Sequence, residues 1–190
     1  MSEFEKMKRG EVFNGADAEI DQIRNRAARI LNQVNQAEPE KRQALFRELF
    51  ASMGENSVIT PPFNCEFGKT VFVGDQTFIN MGVIMLDGAE IKLGDHVLVG
   101  PNVQFYTASH SLDWKSRRRW ETYCKPITVG DDVWIGGNAV ICQGVTIGAR
   151  SVIAANTVVT KDVPPDVLVA GSPMRVIRRL DEGDTLGTDA

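Results

Sequence analysis

Hydrophobic positions along this chain follow two different periods, and the change from one to the other divides it. Up to about residue 55 the apolar side chains fall at helical spacing. After Asp17, a residue type suited to an N-cap, Ile20, Ile23, Ala27, Ile30, Leu31 and Val34 mark one face of a helix. A second helix is predicted after Pro39, with Leu45, Phe46, Leu49 and Phe50 turned inward and an end near Gly54. "TPPFNCEFG" then breaks the pattern, and a short fixed period takes over.

From Val129 the chain reads VGDDVW, IGGNAV, ICQGVT, IGARSV, IAANTV, VTKDVP. The first positions (Val129, Ile135, Ile141, Ile147, Ile153 and Val159) are aliphatic and β-branched, and the second is small. The fifth is Val133, Ala139, Val145, Ser151, Thr157 and Val163. The same register is read earlier at Phe67, Val73, Ile79 and Met85, and after a two-residue slip at Leu93, Val99 and Phe105. A period of six suits neither an α-helix nor hairpins that recur every ~8–12 residues. It suits a chain wound around a three-sided prism, each aliphatic side chain stacked ~4.8 Å from its counterpart one coil along. The small second residue is expected where the backbone turns tightly at positive φ. The repeat count predicts four to five coils.

This pattern gives a helical segment over 1–57, a β-helix over 58–180 and an acidic tail over 181–190, expected to be disordered. One excursion, at about 107–126, leaves the repeat; it is polar, basic and aromatic, with His110, Trp114, Arg117, Arg118, Arg119 and Trp120. Long departures from a rigid scaffold are where function tends to sit.

Composition narrows the classes. The 190 residues are 43% hydrophobic and 24% charged, with a net charge of −4, which gives no footprint for nucleic acid or an anionic membrane. Cys65, Cys124 and Cys142 are odd in number and widely spaced, so they read as reduced, packed thiols. A charged N-terminus and the absence of an apolar run near ~20 residues predict a soluble, cytoplasmic protein.

The ordered set "PPFNCEFG", "INMGVIMLDGAEIKLGDHV", "GPNVQFYTASH", "KPITVGDDVWIGGNAVI", "GVTIGARSVIAANTVVTKDVPPDV" and "AGSPMRVIRRL" resembles the hexapeptide-repeat sugar O-acetyltransferases of the galactoside, maltose and nodulation type. The resemblance covers nearly the whole chain. It implies a left-handed parallel β-helix, a homotrimer with sites between subunits, and acetyl transfer from acetyl-CoA to a sugar or similar small hydroxyl acceptor, without a metal.

Such transfer needs a base for the hydroxyl proton and a donor for the oxyanion. His110 in "TASH" matches the family's catalytic histidine, although Ser111 stands where the family usually has Pro. Asn80 matches the oxyanion donor and breaks the small-residue rule at its place in the repeat; a turn hydrogen bond is its structural alternative. Glu66 and Asp87 match acidic positions near the acceptor, and Asp17 or its neighbourhood matches an N-terminal one, alongside its reading as an N-cap. For the donor, Trp134 faces outward by register and is implied to wall the thioester arm, with Gly137 and Ala155 offering backbone groups. Thr160, Lys161, Arg175 and Arg178 match nucleotide-binding positions, where cations suit phosphate; a solvated basic end is the alternative. The γ-type carbonic anhydrases share the prism but bind zinc through three histidines, and this chain has His96 and His110 only. A catalytically silent prism and a different acceptor (antibiotic, amino sugar or serine) are the other readings.

Overall fold

A computed structural model describes residues 1–119 and 121–180; the expected tail at 181–190 and Trp120 lie outside the described residues. Three helices come first: α1 (Glu3–Lys8), α2 (Ala18–Gln36) and α3 (Pro39–Leu49). The Asp17 carboxylate caps α2, accepting from the amides of Glu19 (2.9 Å) and Ile20 (3.4 Å). Pro39 begins α3, where its missing N–H leaves no donor unsatisfied. The helix stops at Leu49, short of Gly54, because the backbone is already committed to the next coil: the Ala51 amide donates to Val71 and that of Gly54 to Val73. The solenoid thus begins at Ser52, ahead of the expected boundary at 58. Helix α1 gave no periodic signal, since its six residues bury only Phe4 and Met7.

The rest of the described chain is a parallel β-helix of five complete coils and part of a sixth, against an expectation of four to five. Three inward columns run its length. Met53, Val73, Leu93, Val129 and Ile147 stack on the first face, and Val163 continues them. Ile59, Ile79, Val99, Ile135, Ile153 and Val169 stack on the second. Cys65, Met85, Phe105, Ile141 and Val159 stack on the third. Phe67, read as a column member, belongs elsewhere: Cys65 holds its place, and Phe67 packs with Phe4, Met7 and Ile20 in a separate cluster under α1. Helix α2 joins the main core through Ala27, Ile30, Leu31 and Val34, and α3 through Phe46, Leu49 and the following Phe50.

The tight turns fall at the fourth residue of the first five units, not the second as expected, and at Asp166 after the sixth. Asp132, Asn138, Arg150 and Asn156 adopt φ of 58–59°, and His96 sits at an exposed corner with φ 56°. Short Asn and Asp side chains tolerate this left-handed region best among non-glycine residues. The second-position glycines serve close approach between coils. A Cβ on Gly136 would lie 2.5 Å from the Ala155 nitrogen, and one on Gly148 2.4 Å from that of Pro165.

Outward side chains differ between faces. The first face shows Ser52, Phe72, Lys92, Thr128 and Thr146, whereas the second shows Val58, Phe78, Leu98, Trp134, Val152 and Leu168. That second face is an apolar stripe open to water on the single chain.

Candidate active site

The excursion is inserted between Leu93 and its column partner Val129, and it is more regular than its sequence suggested. Ala108–His110 pairs antiparallel with Thr122–Cys124, with His110 opposite Thr122, and a short helix, α4 (Trp114–Arg118), forms the tip. Strand alternation puts Ala108, His110, Thr122 and Cys124 on one side of this ribbon, and all four line one cavity.

The exposed His110 ring places Nδ1 3.2 Å from the Glu121 carbonyl oxygen and 3.3 Å from Thr122 Oγ1. A carbonyl can only accept, so Nδ1 carries the proton and Nε2 keeps its lone pair. Glu121 is itself fixed: its carboxylate accepts from the Ser116 hydroxyl and from Arg119 Nε at 2.8 Å, and these bonds hold it below the usual carboxylate range.

The cavity measures about 910 Å³ and is roofed by residues 12–16, with Met7, Phe67, Leu86 and Gly88 supplying apolar wall. Glu66 projects into it. Burial pushes the Glu66 carboxyl up, opposed by Arg24, whose Nε donates to Oε1 at 3.2 Å. Arg24 also pairs with Asp21 at 2.5 Å and lies 5.4 Å over the Phe67 ring. Cys124 is buried behind Gly88, and burial raises its thiol to about 12, so it is unreactive packing.

Two expected acceptor residues stand apart. Asp87 is wholly enclosed, outside the cavity lining; one oxygen accepts from the amides of Glu66 (2.8 Å) and Phe67 (3.0 Å), the other from Gly68 (2.7 Å) and the Thr70 hydroxyl (2.8 Å). Burial raises its pKa and these donors oppose the rise. No lone pair is left over for a sugar, because four donors occupy the carboxylate. Asp17 caps α2, while Asn14, Gly15 and Ala16 beside it reach the cavity wall.

A second concavity, a groove of about 660 Å³, runs along the apolar second face. It brings together Asn80, Trp134, Gly137 and Ala155. Asn80 Oδ1 accepts from the Met81 amide at 2.8 Å, so its Nδ2 hydrogens remain to donate outward. Gly100, Gly136 and Gly137 leave backbone bare along the groove, and Trp134, 45% exposed, forms a wall. The sheet ends in Arg175–Arg179, antiparallel to Val167–Ala170, with Arg178 opposite Leu168 and Arg175 opposite Ala170. Five strand spacings separate this cationic edge from the strand before Asn80, roughly 24 Å at ~4.8 Å each. Thr160 and Lys161 lie exposed just past the last third-face strand, outside the groove lining.

Cavity and groove share no lining residue, so one chain keeps His110 and Glu66 apart from Asn80 and Trp134. Arg24, Glu121 and Asn14 were not singled out by sequence. Among the described residues no group of three or more His, Cys, Asp or Glu could hold a metal ion, and no helix is long and apolar enough to cross a membrane.

The chain resembles known proteins along its whole length. Residues 6–54 match a family model described as the maltose acetyltransferase hexapeptide capping motif, and residues 126–161 match one described as the hexapeptide repeat of succinyl-transferase. Galactoside O-acetyltransferase of Escherichia coli is 37% identical over 183 residues, covering 95% of this chain and 90% of its own. A hexapeptide-repeat acetyltransferase of Vibrio cholerae, solved in complex with acetyl-CoA, is 62% identical with a TM-score of 0.92, covering 96% of this chain and all of that one. A maltose O-acetyltransferase from Clostridium difficile is 38% identical with a TM-score of 0.94, covering 96% and 99%.

Proposed function

The chain belongs to the hexapeptide-repeat sugar O-acetyltransferases, and from that premise we propose that it acetylates a sugar hydroxyl with His110 as general base. It is an acyltransferase whose acetyl donor is acetyl-CoA. The observation that carries the base assignment is the Nδ1 contact to Glu121, which leaves Nε2 as a lone pair beside the cavity.

The residues of the second face fit the donor. Bare glycine and alanine backbone beside Trp134 suits a narrow pantetheine arm, and Arg175 and Arg178 supply charge for phosphates at the far edge. Lys161 and Thr160, exposed at the turn after Val158–Val159, are the further candidates for phosphate. The thioester supplies an activated acetyl group. His110 takes the proton of the attacking hydroxyl as the new ester C–O bond forms and the C–S bond breaks. The proton then passes from His110 to the departing thiolate. Asn80 Nδ2 donates to the carbonyl oxygen while that oxygen carries negative charge. Direct attack needs neither a metal nor an acyl-enzyme.

On the acceptor side, Glu66 presents a carboxylate to sugar hydroxyls, each oxygen able to accept. Arg24 holds it in place. Asp87 acts from behind by fixing the Glu66–Gly68 backbone. Asp17 sets the start of α2 and with it the wall at 14–16.

The separation of cavity and groove supports a homotrimer in which the cavity of one protomer faces the groove of the next. It would also cover the apolar second face. Thiol release from acetyl-CoA, measured against a panel of glycosides, amino sugars and antibiotics, tests the function. Turnover with glycosides is the expected result, and turnover confined to amines would overturn the hydroxyl assignment.

A further inference from the structure

We propose that Glu3 is a positioning residue for acceptor recognition, acting through the segment 10–16, which it fastens over the cavity as a strap. This deepens the acetyltransferase reading and rests on it.

The strap contributes five consecutive residues, 12–16, to the cavity wall. Its own side chains bury little: Val12 is 63% exposed, and Asn14, Gly15 and Ala16 face solvent. Phe13, partly buried against the cluster of Phe4, Met7 and Phe67, is its one packed side chain, and a segment with few buried apolar contacts opens at low free-energy cost. Two polar ties hold it. The Asn14 amide donates to Glu3 Oε2 at 2.6 Å, and Phe13 makes an antiparallel bridge to Thr122. Glu3 is a firm anchor because α1 is nailed to the body by buried Phe4 and Met7, the Phe4 ring standing 6.0 Å from that of Phe67. Its second oxygen is held by Lys6 Nζ at 2.5 Å, so the carboxylate is aimed rather than free to rotate.

The start of the strap is equally constrained. Gly10 has φ 75°, and a Cβ there would come 2.8 Å from the Cys124 carbonyl oxygen, so only glycine lets the chain leave α1 pressed against the ribbon. Thr122 is the cross-strand partner of His110. Through its single bridge at Phe13 the strap thus also meets the edge of the ribbon that carries the base. Lifting the Asn14 end opens the cavity; seating it returns Asn14 to the cavity wall.

The test compares the unmodified enzyme with Glu3→Ala, Glu3→Gln and Lys6→Met. Amide hydrogen exchange at Asn14 needs no acceptor, and in Glu3→Ala it is expected to speed up ~10-fold or more, the scale of losing one charge-assisted hydrogen bond. With methyl β-galactoside and maltose as probes, the acceptor KM of Glu3→Ala is expected to rise ~5–10-fold on the same grounds. The acetyl-CoA KM and the kcat at saturating acceptor should stay within about twofold, since neither groove nor base is touched. Glu3→Gln keeps an acceptor oxygen and should recover most of both effects, and it serves if Glu3→Ala folds poorly. Lys6→Met loosens the aim of the carboxylate but keeps its bond to Asn14, so it should raise the acceptor KM by less than Glu3→Ala does. Unchanged Asn14 exchange, or equal rises in both KM values, would overturn the strap. Absence of turnover with any glycoside in the unmodified enzyme would strike the acetyltransferase reading instead, with the exchange result still deciding the strap.

Discussion

His110 Nδ1 stands 3.2 Å from the carbonyl oxygen of Glu121, two residues that the antiparallel ribbon brings together across α4. The bond fixes both ring orientation and tautomer, which is what a base acting through Nε2 requires. His110→Ala is therefore expected to lower kcat by ~10²-fold or more, the usual scale for losing general-base catalysis. Because the ring is exposed, thermal stability should hardly change. Near-normal turnover in a folded variant would remove His110 from the mechanism.

Asn80→Asp keeps the shape of the side chain and removes its only N–H donors. If Nδ2 steadies the oxyanion, kcat should fall by ~10²–10³-fold with little change in the acetyl-CoA KM. A loss confined to KM would instead make Asn80 a binding residue. The two variants together test the assembly. Mixed oligomers of His110→Ala and Asn80→Asp subunits should regain activity, up to about a quarter of normal if each site draws one residue from each of two protomers. No recovery on mixing, in oligomers shown to have exchanged subunits, would place both residues in one chain's site.

Glu66 gives a pH signature. Burial raises its pKa above the usual 4.5 and Arg24 opposes the rise. As pH falls through that raised value the carboxylate gains its proton while less buried acids are still charged. The acceptor KM should then rise on the acid side with a midpoint above 4.5. Arg24→Met removes the opposing charge and should move the midpoint higher; Glu66→Gln should abolish it. A KM that is flat with pH in the unmodified enzyme would remove Glu66 from acceptor binding.

The prism was legible because its cause is local and repeated: one β-branched residue every six positions can stack only if the chain winds. Helices α2 and α3 were legible from their own period. Phe67 misled because it sits six residues before Val73, yet the coil holding it is longer, and Cys65 pairs with Met85 instead. The role of the second-position glycines was misread, since φ and inter-coil clearance both favour glycine and only coordinates separate them. Asp87 was recognisable as special from its motif. That its four hydrogen bonds all come from the 66–70 turn is a tertiary fact that spacing does not carry. The pairing of Arg24 with Glu66 joins α2 to the first coil and has no sequence signal at all.

Clearance between coils makes its own prediction. Gly148→Ala would drive a Cβ to 2.4 Å from the Pro165 backbone, which cannot swing aside as a side chain can. A loss of about 1–3 kcal/mol is expected, the range for overpacking. Asp132→Gly, at an exposed corner with φ 58°, removes a strained side chain and should be nearly neutral. Ile147→Val, in the inward column, should cost about 0.5–1.5 kcal/mol, whereas Ile147→Asp should prevent folding by burying an unpaired carboxylate. Chemical denaturation of the four variants reads all of these, and a stable Gly148→Ala would show that coil spacing is not what selects glycine there.

The proposed phosphate site at the cationic edge should separate donor from acceptor binding. Arg178 lies opposite Leu168, the last groove residue on the second face, and Arg175 lies opposite Ala170. Neither is near the cavity that holds His110 and Glu66, whose lining includes no residue beyond 124. Arg178→Glu should therefore raise the acetyl-CoA KM while leaving the acceptor KM within about twofold and kcat nearly intact, the pattern of a lost uniform binding contact. The side chain is exposed, so salt screens it: the penalty should shrink as ionic strength rises from low salt, where the Debye length is ~30 Å at 0.01 M, to 1 M, where it is ~3 Å. Truncated donors give the decisive control. Acetyl-pantetheine keeps the thioester arm but carries no nucleotide phosphates, so unmodified enzyme and Arg178→Glu should use it equally well. A defect that persists with acetyl-pantetheine, or that ignores salt, would mean that Arg178 supports the fold of the terminal strand and does not read phosphate.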